Sequence, residues 1–164
     1  MEIVNSKVEK YCELHSEPEN ALLQKVNRET HLEVLMPRML SGHLQGRFLA
    51  MLSKMIQPNC ILEIGTFTGY AALCLAEGLN PEGKLITIDI NEELAPRVNH
   101  YFSLSDKAPQ LQYVNGDAQS IIPNLKEKFD LVFIDADKKN YARYYDIVFD
   151  KVNTGGYIIA DNRS

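Results

Sequence analysis

The chain predicts an α/β fold, a doubly wound parallel sheet preceded by N-terminal helices, and three features of its 164 residues lead there. From Cys60 onward, short apolar runs alternate with segments of helical period, and parallel strands need such crossovers. The runs are continuously apolar rather than alternating, as strands covered on both faces must be. Ahead of Cys60 the apolar residues recur at helical spacing and no strand-like run occurs.

Residues 2–15 set Ile3, Val4, Val8, Tyr11 and Cys12 on one helical stripe, which Glu17-Pro18-Glu19 breaks. A second helix is predicted over Ala21 to Leu35. The chain turns at Met36-Pro37, Ser41-Gly42 starts a third helix through "LQGRFLAMLSKMI", and Pro58-Asn59 ends it. The strands and helices then follow in order: "CILEIG", a helix near Ala71 to Leu79, "KLITIDI", a helix near Glu92 to Leu104, and "LQYVNGD". A helix near Ala118 to Lys126, "LVFIDA", a helix near Asn140 to Val152 and "YIIAD" complete the pattern. The expectation is a single domain, with residues 1–58 a helical segment and 59–164 a ligand-binding core. Because "ADNRS" stops just past the fifth strand and leaves an apolar edge, the core is expected to be truncated, its C-terminal strands missing.

Hydrophobic residues at 45% and charged residues at 24% are ordinary for a globular domain and argue against a disordered chain. A net charge of −5 argues against broad nucleic-acid binding, which needs clustered Lys and Arg to neutralise phosphates. Cys12, Cys60 and Cys74 match no zinc or disulfide framework. No signal-peptide pattern opens the chain and no apolar run is long enough to span a membrane, so no membrane partner and a cytoplasmic location are expected.

In open parallel sheets, ligands bind beyond the carboxyl ends of the strands. There "LEIGTFTGY", Leu62 to Tyr70, runs from a buried strand through a glycine-flanked turn into a helix. Gly65 and Gly69 permit a tight turn and close backbone approach to a ligand. A dinucleotide fingerprint would place a glycine at position 67 to admit a pyrophosphate, but Phe67 stands there. Glu63 adds negative charge at the turn's entrance, which suits a ligand carrying an ammonium or sulfonium. Asp89 lies 20 residues after Gly69, the spacing of about 20 expected of an acid that binds ribose hydroxyls. Asp117 in "NGDA" closes the third strand and is able to accept from an exocyclic amine such as that of adenine, with the Ala118 backbone beside it. Together these residues describe an adenosine ligand with an amino-acid tail.

The order "GHLQGRFLAML", "LEIGTFTGY", "ITIDI", "NGDA", "VFIDADK" and "IIADN" resembles the metal-dependent class I S-adenosylmethionine O-methyltransferases, the group of the caffeoyl-coenzyme A and catechol O-methyltransferases. The resemblance runs from Met36 to Asn162 and implies the Rossmann-like class I methyltransferase fold. It also implies that Glu63, Gly65, Phe67, Gly69, Asp89, Asp117, Ala118 and Asp135 surround S-adenosylmethionine (SAM), with Met39 and Ser41 flanking methyl donor and substrate. Asp135, Asp161 and Asn162 would hold a divalent metal, Mg²⁺ first, with Ca²⁺, Mn²⁺ or Zn²⁺ as alternatives. Lys138 matches the general base. The implied substrate is a small phenolic molecule with vicinal hydroxyls, and the implied assembly is a homodimer. A free phenol, with a pKa of about 10, is a poor nucleophile at neutral pH until a cation stabilises its ionised form. One departure concerns position 71: the family often carries a hydroxyl residue there, against the methionyl tail, and this chain has Ala71.

Other readings stand beside this one. Asp89 and Asp117 also fit ordinary strand-end turns, and Asp161-Asn162 fits a helix cap. Asp137 fits a solvated loop carboxylate as well as a substrate contact. His15, His31, His43 and His100 share no metal-binding spacing, and Tyr141, Tyr144 and Tyr145 suit core or dimer contacts. The functional rivals are an NAD(P)-dependent oxidoreductase, through Gly65, Gly69 and Asp89, and a catalytically inactive SAM-binding or oligomerising module.

Overall fold

The structure, a computed structural model, describes residues 6–161. Ile3, Val4 and Asn162 therefore lie outside the described residues. Three helices come first: α1 (Ser6–His15), α2 (Ala21–Glu33) and α3 (Gly42–Ile56). The Asn20 side chain caps α2 by accepting from the Leu23 N–H at 2.9 Å. Gln57 closes α3 in the left-handed region, with its N–H on the Ser53 carbonyl.

Then β1 (Cys60–Ile64), α4 (Tyr70–Ala76), β2 (Lys84–Asp89), α5 (Ala95–Ser103) and β3 (Leu111–Asn115) build one half of the sheet. The other half is α6 (Ala118–Ile121), β4 (Phe129–Ile134), α7 (Tyr141–Phe149) and β5 (Val152–Ala160). All pairings are parallel, in the order β3-β2-β1-β4-β5. The chain moves outward from β1 to β3, then returns to the other side of β1 with β4. Adjacent β1 and β4 thus send their following loops in opposite directions and leave a crevice above their carboxyl ends.

Two apolar clusters, one on each face, hold the layers together. Ile61, Leu85, Leu131 and Phe133 pack with residues of α2, α3, α4 and α5. Leu62, Ile64, Ile86, Ile88, Val132 and Ile134 pack with residues of α6 and α7. Continuous burial, expected of every strand, holds for β1, whereas β3 and β5 are partly exposed because they form the sheet edges.

The largest differences from the sequence reading lie in the second half. The helix expected near Ala118 to Lys126 is four residues of α6 and a 3-10 turn (Ile122–Asn124), because Pro123 lacks the N–H that an α-helix would continue with. The last helix ends at Phe149, and the fifth strand begins at Val152 rather than at Tyr157. Asn153 to Gly156, left between the expected helix and "YIIAD", belongs to β5, which passes through it by an irregularity: Phe129 pairs with Val152 and Leu131 with Tyr157.

Candidate active site

The first loop is shaped by backbone crowding. Gly65 has φ +101°, and a Cβ there would stand 2.2 Å from the Asp135 carbonyl oxygen, so the β1 and β4 loops meet only over a bare backbone. The Gly69 N–H closes the turn on the Thr66 carbonyl at 2.8 Å. Phe67, at φ 51°, sits in the left-handed region that disfavours a side chain. Its N–H donates to Asp89 Oδ2 at 2.7 Å, so the acid at the end of β2 holds the turn in this conformation. The other Asp89 oxygen accepts from the Asn91 N–H at 2.9 Å. Each oxygen keeps a further lone pair for hydroxyl donors. Asp117 caps α6 through the Gln119 N–H at 3.0 Å and also accepts from the Ser120 hydroxyl.

Glu63 departs from the sequence reading. It is fully buried beneath the turn and is absent from the cavity wall, so it is not the charged gatepost expected from its position. Thr87, its register partner on β2, donates to Glu63 Oε2, and the Thr66 hydroxyl lies 2.6 Å from that of Thr87. Glu63 Oε1 has no partner among the described residues. Burial pushes this carboxyl well above the usual range; the Thr87 bond opposes the shift, and Asp135 and Asp89 add to it.

A cavity of about 1270 Å³ opens above the carboxyl ends of the strands. The N-terminal segment contributes Met39 and Ser41 to its wall, and the first turn contributes Gly65 and Phe67. Asp89, Asp117 and Ala118 line the side toward β3; Asp135, Lys138 and Asp161 line the side toward β5. Gly69 sits behind the turn, where a Cβ would meet the Phe102 ring at 2.8 Å. Its role is to let α4 start close to α5. Ala71, the departure at position 71, is also on the wall and offers no hydroxyl. Five carboxylates (Asp89, Asp117, Asp135, Asp137, Asp161) face two cations (Arg38, Lys138), so the cavity favours a positively charged occupant.

The two acids nearest β5 are set by the sheet. The Asp135 N–H bonds the Ile64 carbonyl at 2.8 Å and the Asp161 N–H bonds that of Ile134 at 2.9 Å, which extends the Ile134–Ala160 register and sets Asp135 opposite Asp161. The Tyr141 hydroxyl donates to the Asp161 carbonyl at 2.6 Å. That phenol is pushed up to about 12, by burial first and then by the negative charges of Asp135, Asp161 and Asp137. Gln45, on α3, donates from Nε2 to Asp161 Oδ2 at 3.2 Å.

Lys138 begins an exposed 3-10 turn (Lys138–Asn140) between β4 and α7. Asp137 anchors that turn: its two oxygens accept from the Tyr144 hydroxyl at 2.7 Å and the Asn140 amide at 2.6 Å. Asp137 is thus a loop carboxylate tied to its own turn, and it also lines the cavity.

Among the described residues no three His, Cys, Asp or Glu side chains converge as a metal cage. The candidate set is Asp135 and Asp161, with Asn162 outside the described residues. Two carboxylates on neighbouring strand ends suit a hard oxygen-seeking divalent cation. Zn²⁺, which prefers nitrogen and sulfur, suits them less.

Sequence reasoning missed Thr66, Thr87, Gln45 and the anchoring by Tyr144. Thr87 carries a signal, being the polar residue inside "LITIDI". Gln45 carries only its polarity within the apolar "LQGRFLAML" stretch. A smaller cavity of about 620 Å³ at the opposite end contains one carboxylate, Asp130. That carboxylate is committed to the Asn59 and Cys60 N–H groups and the Asn153 amide.

No helix among the described residues is long and apolar enough to cross a membrane. Comparison with known proteins bears on the larger cavity. The chain is 34% identical over 148 residues to a catechol O-methyltransferase from Niastella koreensis, covering 88% of this chain and 66% of the relative. It is 35% identical over 124 residues to caffeoyl-CoA O-methyltransferase 2 of Petunia hybrida, covering 72% and 51%. The chain thus spans less than two thirds of these relatives' length. An SAH-bound methyltransferase from Podospora anserina superposes with a TM-score of 0.89 at 26% identity, over 95% of this chain and 68% of that one. The O-methyltransferase TomG of Streptomyces achromogenes, solved with SAM, gives 0.89 at 30% identity, over 95% and 71%. The family model for O-methyltransferases matches residues 13–164, a span that takes in all five strands and every cavity residue named above, and the chain belongs to that family.

Proposed function

We propose that this chain transfers a methyl group from SAM to one hydroxyl of a vicinal diphenol, of catechol or caffeoyl type, with the help of a divalent cation. The observation that carries the reading is the acidic cavity at the sheet's switch point, with five carboxylates on its wall. SAM brings a sulfonium and an ammonium into that field and supplies the electrophilic methyl. Asp89 receives the ribose hydroxyls on lone pairs left by its two backbone bonds. Asp117 and Ala118 face the base, and Phe67, fixed in its left-handed turn, shapes the wall beside it. Met39 and Ser41 enclose the region where donor and acceptor meet, and the Met39 thioether packs favourably beside a sulfonium.

Asp135 and Asp161 are the described residues that would hold the cation, Mg²⁺ before Ca²⁺ or Mn²⁺. When bound it supplies positive charge that favours the ionised form of a phenol. Once its Nζ has given its own proton to water from the exposed turn, Lys138 takes the proton of the acceptor hydroxyl as the oxygen gains the methyl, and then passes that proton to water in turn. A homodimer and a cytoplasmic location go with this reading and rest on the family resemblance.

The oxidoreductase alternative would set a pyrophosphate among carboxylates, which like-charge repulsion opposes. Titration calorimetry with SAM and with NAD tests the ligand: binding of SAM alone is expected, and binding of NAD alone would overturn the proposal. If SAM binds but neither a catechol nor a caffeoyl ester is methylated at any Mg²⁺ concentration, the inactive-module reading stands instead.

A further inference from the structure

We infer that Gln45 is a positioning residue for the cation site, setting the rotation of the Asp161 carboxylate. The inference rests on the proposed metal dependence and extends it to a helix far from Asp161 in sequence.

The backbone of residue 161 is fixed without Gln45. Its N–H is bonded to the Ile134 carbonyl, and its carbonyl accepts from Tyr141. What those bonds leave open is the side-chain torsion, which decides where the carboxylate oxygens point. The Gln45 amide reaches across 116 sequence positions to donate to Asp161 Oδ2 at 3.2 Å. Because a carboxylate only accepts, the amide nitrogen must face Asp161. That orientation leaves Gln45 Oε1 buried with no partner among the described residues.

A buried acceptor left unpaired is destabilising, and an apolar side chain of the same shape would avoid it. The orphan oxygen is thus a cost of keeping the nitrogen on Asp161, and it marks the contact as functional. Gln45 does not line the cavity, so it touches neither donor nor acceptor and works through Asp161. Groups that orient metal ligands in this way commonly change affinity by about 10–100-fold when removed.

The test measures Mn²⁺ affinity by electron paramagnetic resonance, Tm, and SAM affinity without metal, for the native chain, Gln45→Leu and Gln45→Met. The expected result is a Mn²⁺ Kd raised about tenfold or more in both variants, with SAM affinity within about twofold. Tm should stay unchanged or rise, since the orphan oxygen is gone. An unchanged Mn²⁺ Kd overturns the role of Gln45 and leaves the metal reading intact. A fall in Tm in both variants shows a purely structural strut and also overturns it. A native chain that binds no Mn²⁺ removes the metal reading itself, and this inference with it.

Discussion

The two sides of the cavity are built differently. On the side of β1, β2 and β3 the polar groups are tied within the strand-end loops themselves: Asp89 holds Phe67 across to the β1 loop and Asn91 in its own loop, and Asp117 caps its own helix. On the side of β4 and β5 they are held by side chains of helices packed against the sheet, one of them from far along the chain. Gln45 reaches Asp161 from α3, Tyr141 grips its carbonyl from α7, and Tyr144 anchors Asp137. The contrast teaches that the end proposed to receive the nucleoside is held by the strand-end loops, whereas the end proposed to react is held by side chains of packed helices. The first should survive changes that ruin the second.

The largest expected effect falls on the reactive side. Lys138→Ala should lower kcat by about 10²–10⁴ and leave SAM affinity within about twofold. Single-turnover methylation and calorimetry check the split, and an unchanged kcat would remove Lys138 as the base. Gly65→Ala joins both sides, because its Cβ would strike the Asp135 carbonyl oxygen from a left-handed backbone. It should cost on the order of 3 kcal/mol of stability, read by urea denaturation. Asp89→Asn should weaken SAM binding by about 1.5–3 kcal/mol while Mn²⁺ affinity holds, since charged hydrogen bonds of that kind are lost on one side alone.

Glu63→Gln gives the smallest effect and a sign that is fixed in advance. The folded chain holds the Glu63 proton above the ordinary value of 4.5, while the unfolded chain has released it. The folded state then binds more protons, so this group's contribution to stability falls as pH rises from 4.5 toward its raised folded value. The glutamine variant should lack that slope, at most about 1.4 kcal/mol per pH unit, in denaturation curves taken across the window. Identical slopes would mean that Glu63 is ionised in the fold.

The same contrast decided what the sequence could reveal. The strand–helix alternation and the glycine turn were legible because apolar runs and glycine-flanked turns are short-range patterns, and Asp89 was marked by its spacing after Gly69, beside the turn it holds. Glu63 misled, since its position at the end of an apolar strand says where the backbone goes but not that Thr87 would seal the side chain inside. Gln45 was invisible because its partner lies at the far end of the chain. The start of β5 was misread because Asn153 to Gly156 has turn composition that pairing with β4 overrides.

Transfer of label from methyl-tritiated SAM to a catechol, assayed with Mg²⁺, with EDTA, and after Mg²⁺ is restored, bears on the whole scheme at once. Labelled ether should form with Mg²⁺, disappear with EDTA and return on restoration. Equal label with and without the chelator, or none in any arm although SAM binds, would contradict a cation held by Asp135 and Asp161 as part of the reaction.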